Sequence, residues 1–239
     1  MHPASGQTVG RVVGLWRYPV KSMAAQSLSG VEVSWHGLVG DRRWAFVRDG
    51  QGGSGFPWLT IRDRHDMASF LPSFEHPDRP DRSDTRVRTP TGATYDVTDP
   101  ALAAALWPDG ARVIRHNGGL FDTFPISLIS TQSIRWLSEA TGSALSAQRF
   151  RPNLLIEAIE DRPFVEESWV GRELQIGQLR MRIDKRDGRC QVITVDPETG
   201  TRDPAILRTV VGQRSGCLGV YGSTVVPGVV AISDIVILA

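Results

Sequence analysis

Glycine and proline interrupt this chain so often that no apolar segment runs far before it meets a turn. There are 24 Gly and 15 Pro in 239 residues, and both punctuate regular structure instead of continuing it. What lies between them reads as short strands. Residues 9–16 and 31–35 show partial apolar alternation, 43–47 follow a Gly-Asp turn, and 57–61 reads as the return arm of a hairpin. A further hairpin spans 85–89 and 94–97 around Pro90-Thr91-Gly92. Segments 127–129, 153–157, 173–176, 179–183 and 190–195 follow, and two last strands at 219–225 and 229–238 are divided by Pro227-Gly228. Helices are few, and each has its own start signal. Asp99-Pro100 precedes Leu102 and Leu106, Ser130 or Thr131 precedes Ile134 and Leu137, and Asp203-Pro204 precedes Leu207, Val210 and Val211. Residues 67–74 read as a helical turn broken at Pro72, and the polar, Pro-rich run 76–84 as a solvated loop. Strands this short and closely spaced do not build a doubly wound parallel sheet. The chain is predicted to be α+β and mostly β: an antiparallel β-barrel packed with a smaller N-terminal β-rich unit and a few short helices.

Charge and cysteine content narrow the function classes. Lys plus Arg number 27 against 26 Asp plus Glu, a net charge of +1, which points neither to nucleic acid nor to an anionic membrane as partner. No apolar run approaches the ~20 residues of a bilayer crossing, and Met-His-Pro-Ala-Ser-Gly at the start shows no secretory pattern. Two cysteines, Cys190 and Cys217, are too few for a disulfide scaffold, an all-cysteine zinc site or an iron–sulfur cluster on four thiolates. Free thiols fit a reducing cytoplasm.

Gly50-Gln-Gly52-Gly-Ser-Gly55 satisfies the dinucleotide fingerprint formally, but Phe-Pro-Trp-Leu-Thr-Ile follows it where a helix is required, so it reads as a hairpin loop. No phosphate-binding G-x-x-x-x-G-K-[ST], zinc-protease H-E-x-x-H or nucleophile-elbow G-x-S-x-G is present. The five histidines do not fall at metal-ligand spacing; only His116 lies near other candidates. Cys190 stands where the charged turn 184–189 meets the segment 191–195. The cations Lys185, Arg186 and Arg189 close by in sequence favour a thiolate, and a thiolate is both a soft metal ligand and a nucleophile. The alternative is a small buried hydrophobe, which is how Cys217 reads. Three basic segments sit at strand edges: Tyr18-Pro-Val-Lys21-Ser22, Gly40-Asp-Arg42-Arg43 and Arg149-Phe-Arg151-Pro-Asn153. Taken singly they are solvated charges. Converging, they would offer bidentate forks, a point charge and neutral hydrogen bonds to one anionic ligand.

In this order, the segments resemble the MOSC family, named for the C-terminal domain of molybdenum cofactor sulfurase, together with its N-terminal companion β-barrel domain. Tyr18-Pro-Val-Lys21-Ser22 and Gly40-Asp-Arg42-Arg43-Trp44 match the companion; the segments at 122–130, 149–154, 189–200, 219–221 and 227–236 match the MOSC domain. Cys190 followed by Thr194-Val-Asp-Pro-Glu-Thr-Gly200 is the most specific piece. The resemblance implies an N-terminal β-barrel-like domain over 8–120 and a MOSC domain over 121–239. It implies a molybdenum-pterin cofactor with Cys190 as metal ligand. Lys21, Ser22 and Arg42 (or Arg43) would hold the pterin or its phosphate from one side, and Arg149, Arg151 and Asn153 from the other. Asp122 and Thr123 match a segment near the metal, with Asp122 in a catalytic role. Pyridoxal phosphate binding is a further family-level association. The implied activity is reduction of N-hydroxylated small molecules, with electrons from a separate donor protein, since no flavin, nicotinamide or ferredoxin-like motif is present. The chain shows no N-terminal membrane anchor of the kind mitochondrial relatives carry, so a cytoplasmic protein without membrane or nucleic-acid partners is expected. Two other functions share these residues: a carrier holding a persulfide on Cys190 or the cofactor itself, and a cofactor-free interaction module.

Overall fold

The structure is a computed structural model describing residues 6–51 and 53–239. Its centre is a closed barrel of seven strands. Going round, Leu154–Ala158 is followed by Ile126–Ser130, Cys217–Val226, Leu179–Gly188, Glu173–Ile176, Ile235–Leu238 and Gln7–Arg17, which pairs back onto Leu154–Ala158. Every pairing is antiparallel except that of Ile126–Ser130 with Leu154–Ala158. Closure removes the unpaired edges that an open sheet of short strands would present. Gln7–Arg17 belongs in sequence to the N-terminal segment, yet it is the stave that closes the barrel, with Gly10 opposite Ala158 and Leu15 opposite Leu154.

Strand alternation explains the barrel core. Along Leu179–Gly188, Leu179, Met181 and Ile183 point inward while Arg180 and Arg182 face water. Val12, Leu15, Leu128, Leu154, Ile156 and Trp169 complete that interior. Burying each large aliphatic chain contributes about 1.5–3 kcal/mol, and the summed core offsets the entropy of ordering so many short strands. A second core lies outside the barrel, around Phe46, Leu59, Met67, Phe70, Val87, Leu102 and Leu106. It joins the pair Trp44–Arg48 and Ala111–Arg115, the sheet Leu71–Phe74, Thr85–Arg88 and Thr94–Asp96, and helix α1 (Pro100–Leu106). A third core packs α2 (Thr131–Thr141) and α3 (Pro204–Arg214) on the barrel through Ile129, Ile134, Leu137, Ile206 and Val210. All three helices begin as expected: Asp99, Ser130 and Asp203 accept hydrogen bonds from the backbone of Ala101, Ser133 and Ala205.

Two readings around Cys190 are corrected. The charged residues 184–188 are not a turn; the strand runs through them to Gly188. Bulges at Ile183/Lys185 and Arg186/Gly188 keep it paired with Cys217–Val226. Residues 190–195 are not a strand. Gln191–Thr194 is a 3₁₀ turn in which Thr194 Oγ1 donates to the Gln191 carbonyl at 2.7 Å. The apolar residues that mimic alternation serve different cores, Ile193 the helical one and Val195 the N-terminal one. Pro72 sits in the Leu71–Phe74 strand at the edge of its sheet, where its missing N–H costs no ladder bond. The Gly50–Gly55 loop, apart from residue 52, which lies outside the described residues, leads to a single bridge between Trp58 and Val47 and to no helix at that point, as a hairpin loop requires. The opening residues 1–5, from which the absence of a secretory pattern was read, also lie outside the described set.

Candidate functional site

A cleft of about 210 Å³ opens where the barrel meets the N-terminal core. Tyr18 lies buried behind its arginines. The fully buried phenol donates to the Pro152 carbonyl at 3.1 Å, and burial pushes its pKa up to about 12, against the pull of Arg151 and Arg42. Both guanidiniums stack on this ring, Arg42 at 4.6 Å and Arg151 at 4.3 Å from the centroid. They come from opposite halves of the sequence. Arg42 is anchored by Asp41 and by the Arg151 carbonyl at 3.2 Å. Its neighbour Arg43 turns the other way, to Asp81 at 2.9 Å. Of the two candidates, Arg42 is therefore the one that lines the cleft.

Ser22, Arg42 and Arg151 all adopt left-handed backbone conformations, with φ of 68°, 48° and 54°. A non-glycine residue there costs on the order of 1 kcal/mol or more. All three line this one cleft, where the surrounding packing holds the strained backbone in place. Arg151 also carries unsatisfied chemistry. Its Nη1 donates to the Met23 carbonyl at 2.8 Å, but Nη2 is buried without a partner. Burial lowers its pKa to about 10, so the group sits there at a cost that an anionic ligand would relieve.

Lys21, 5% exposed, donates to the Leu120 carbonyl at 2.8 Å and to Asp122. Burial lowers the ammonium's pKa against the pull of Asp122. For Asp122, burial would raise the carboxyl, but Lys21, Arg62 and Arg42 outweigh it and hold the group below the ordinary carboxylate range. Thr123 follows on the same wall. Cys190 is half-buried in the cleft, and the cation that touches its sulfur is Arg62, whose Nη2 donates at 3.3 Å. The three cations expected to do this are engaged elsewhere. Arg186 pairs with Glu167 at 3.1 Å, Lys185 lies over Phe124, and Arg189 donates to the carbonyls of Leu218 and Phe150, both at 2.7 Å.

Two residues expected to touch the cofactor are committed to the protein. Asn153 is fully buried; its amide donates to the Trp16 carbonyl and Asp41, and its oxygen accepts from Ser127 N. Arg149 donates to the carbonyls of Ile193 and Thr194 and to Asp196 at 2.6 Å, clamping the turn that follows Cys190. Both position the cleft more than they reach into it. His116 does not line the cleft; its Nδ1 accepts from Gly118 N. Cys217, expected in a core, is half-buried at the start of its strand.

The sequence reading missed Arg62 and the buried carboxyl of Asp187, which with Ser127 and Tyr221 forms the cleft's inner wall. Gly219 borders this wall. Its φ is +77°, and a Cβ there would stand 2.8 Å from the Leu128 carbonyl and 3.1 Å from Arg189 Nη2, so only glycine lets the chain pass.

The MOSC domain matches residues 114–237, and the MOSC N-terminal β-barrel domain matches residues 9–109. The chain belongs to the MOSC family. The Culex quinquefasciatus protein named molybdenum cofactor sulfurase 2 is 34% identical over 49% of this MOSC chain and 17% of its own length. Mitochondrial amidoxime reducing component 2 of Rattus norvegicus is 33% identical over 41% of this chain and 28% of its own. The chain thus spans less than a third of either relative. The crystal structure of the YuaD protein from Bacillus subtilis shares the fold across 96% of this chain and 95% of that one, at a TM-score of 0.52 and 12% identity. Among the described residues no helix is long and apolar enough to cross a membrane, and no group of three or more His, Cys, Asp and Glu is placed to hold a metal ion.

Proposed function

We propose that this MOSC protein holds a molybdenum-pterin cofactor in the cleft, with Cys190 as the metal's protein ligand, and reduces N-hydroxylated small molecules with electrons from a separate donor protein. The observation that carries this reading is the placement of a half-buried thiol in a cleft whose cations come from both halves of the chain. The lining fits such a group. Of the six cations lining the cleft, Arg42 and Arg149 are paired with Asp41 and Asp196, and Lys21, Arg62, Arg151 and Arg189 stand against the acids Asp122 and Asp187, a surplus suited to a polyanionic pterin phosphate. The buried, partnerless Nη2 of Arg151 is a donor in search of an acceptor. A lone sulfur supplies the soft ligand.

When bound, the cofactor supplies a two-electron couple; the rest falls to the chain. Lys21, Ser22, Arg42 and Arg151 hold the anionic end, Arg62 orients the sulfur, and Phe121 and Phe124 give the mouth apolar walls. Reduced free thiols fit a cytoplasmic setting.

The second reading is a carrier, favoured by the relatives named molybdenum cofactor sulfurase: a persulfide held on Cys190, with no reduction. Metal analysis of protein from a cofactor-competent host, followed by assay on an N-hydroxylated amidine with an artificial donor, separates them. Stoichiometric molybdenum with turnover supports the reductase. Cyanide-labile sulfur on Cys190 without molybdenum supports the carrier and defeats the reductase.

A further inference from the structure

Residues 121–124 line one edge of the cleft and carry two phenylalanines, Phe121 and Phe124, on either side of Asp122 and Thr123. This edge is tied down from behind. Lys21 bridges the Leu120 carbonyl at 2.8 Å and Asp122, the Leu120 N–H donates to the Arg42 carbonyl at 2.9 Å, and Arg62 lies 3.7 Å from Asp122. Phe124 is also backed by the barrel. Its ring stacks on Tyr221, with centroids 6.3 Å apart and planes at 28°, and Lys185 Nζ lies 6.0 Å from its centroid.

Lys185 and Tyr221 are cross-strand partners in the Leu179–Gly188 and Cys217–Val226 strands. The bulge at Ile183/Lys185 breaks the alternation, so Lys185 is exposed where the pattern of Leu179, Met181 and Ile183 would bury it. Its neighbours Asp184, Arg186 and Asp187 are paired with Arg182, Glu167 and Arg189, whereas Lys185 has no carboxylate partner among the described residues.

We propose that Phe124, backed by Tyr221 and flanked on its solvent side by Lys185, is the specificity shelf of this site. It selects N-hydroxylated substrates built on a flat aromatic ring, with an anionic group at the end remote from the N–O bond. This rests on the reductase reading and names the substrate class within it. A half-buried ring already held in place gives up little conformational freedom on binding. Its remaining surface favours another ring over an aliphatic chain, because offset or edge-on packing of two rings adds to the area buried. Phe124 shares the cleft with Cys190, while Lys185 lies outside the cleft lining. A ring seated on Phe124 therefore has one end toward the sulfur and the other toward an unpaired ammonium.

The test uses molybdenum-loaded protein, reduced methyl viologen and three substrates with one reacting group: acetamidoxime, benzamidoxime and 4-carboxybenzamidoxime. Their Kd values, from ligand-observed NMR without an electron donor, give a readout independent of turnover. In wild type, benzamidoxime should exceed acetamidoxime roughly tenfold in kcat/KM, chiefly through KM. The carboxyl group should add roughly two- to fivefold more, an advantage that fades at high salt. Phe124→Leu should lose most of the ring preference, Phe124→Tyr should keep it, and Lys185→Met should lose the carboxyl advantage. The wild-type comparison and Lys185→Met remain decisive if Phe124→Leu does not fold. Equal kcat/KM and Kd for acetamidoxime and benzamidoxime, or a ring preference undiminished in Phe124→Leu, overturns the shelf while the reductase reading stands. A carboxyl advantage that survives Lys185→Met overturns the part given to Lys185. A molybdenum-loaded wild type that reduces none of the three overturns the reductase reading, and the shelf with it.

Discussion

Arg62 Nη2 donates to Cys190 Sγ at 3.3 Å while lying 3.7 Å from Asp122, so a residue of the N-terminal core grips the thiol of the MOSC half. Burial opposes the Arg62 charge, but the sulfur bond and the neighbouring carboxylates outweigh it and raise its pKa. A hydrogen bond to a charged group is worth about 1.5–3 kcal/mol. Arg62→Ala is therefore expected to lower turnover roughly ten- to hundredfold while leaving the fold intact. Steady-state kinetics with metal analysis check it; unchanged kcat and molybdenum content would remove Arg62 from the site.

Arg151 is held in left-handed backbone with a buried donor unpaired and its pKa lowered to about 10. A guanidinium buried with an unpaired donor carries a desolvation cost that an apolar side chain of similar length does not. Arg151→Met should raise the thermal midpoint of cofactor-free protein by about 2–4 °C, equivalent to ~1 kcal/mol, and abolish pterin retention. A lower midpoint together with normal retention would contradict this account of Arg151.

Asn153 tells the opposite story. With both donor hydrogens and its acceptor used by Trp16, Asp41 and Ser127, its loss strands several buried partners. Asn153→Ala should cost about 2–4 kcal/mol in denaturant unfolding of the cofactor-free protein. A variant with wild-type stability and impaired cofactor binding would restore the direct role the sequence suggested.

Much of this was legible in the sequence, for identifiable reasons. Alternation in Leu179, Met181 and Ile183 and the caps at Asp99, Ser130 and Asp203 are local signals, and the elements follow them. The basic segments and Cys190 were recognisable as motifs, and the structure gathers them in one cleft. Arg62 was not legible. It lies 128 residues from its sulfur partner, just past the segment 57–61 that reads as a hairpin arm, and only tertiary folding brings the two together. Asp187 was hidden in a charged run whose members go different ways: Lys185 is exposed, Asp184 pairs with Arg182 and Ser223, and Arg189 turns into the cleft with Asp187. The left-handed residues Ser22, Arg42 and Arg151 gave no warning either, because glycine is the residue that announces such backbone.

Asp187 makes stability depend on pH with a definite sign. Unfolded, it titrates near ~3.9; folded, burial raises that value. The folded state binds the proton more tightly, so this group's contribution is full below ~3.9 and is lost as pH rises through the folded value. Asp187→Asn lacks that slope. The stability of the variant minus that of wild type, from denaturant midpoints of cofactor-free protein, should grow with pH across that window and then level off. A difference constant with pH would show that the carboxyl titrates alike in both states.

The most direct measurement is the molybdenum content of wild-type and Cys190→Ala protein purified from a cofactor-competent host, read beside turnover of an N-hydroxylated amidine. The account predicts near-stoichiometric molybdenum and turnover in wild type, and no turnover with depleted metal in Cys190→Ala. Wild type devoid of molybdenum, or a fully active Cys190→Ala, would contradict it.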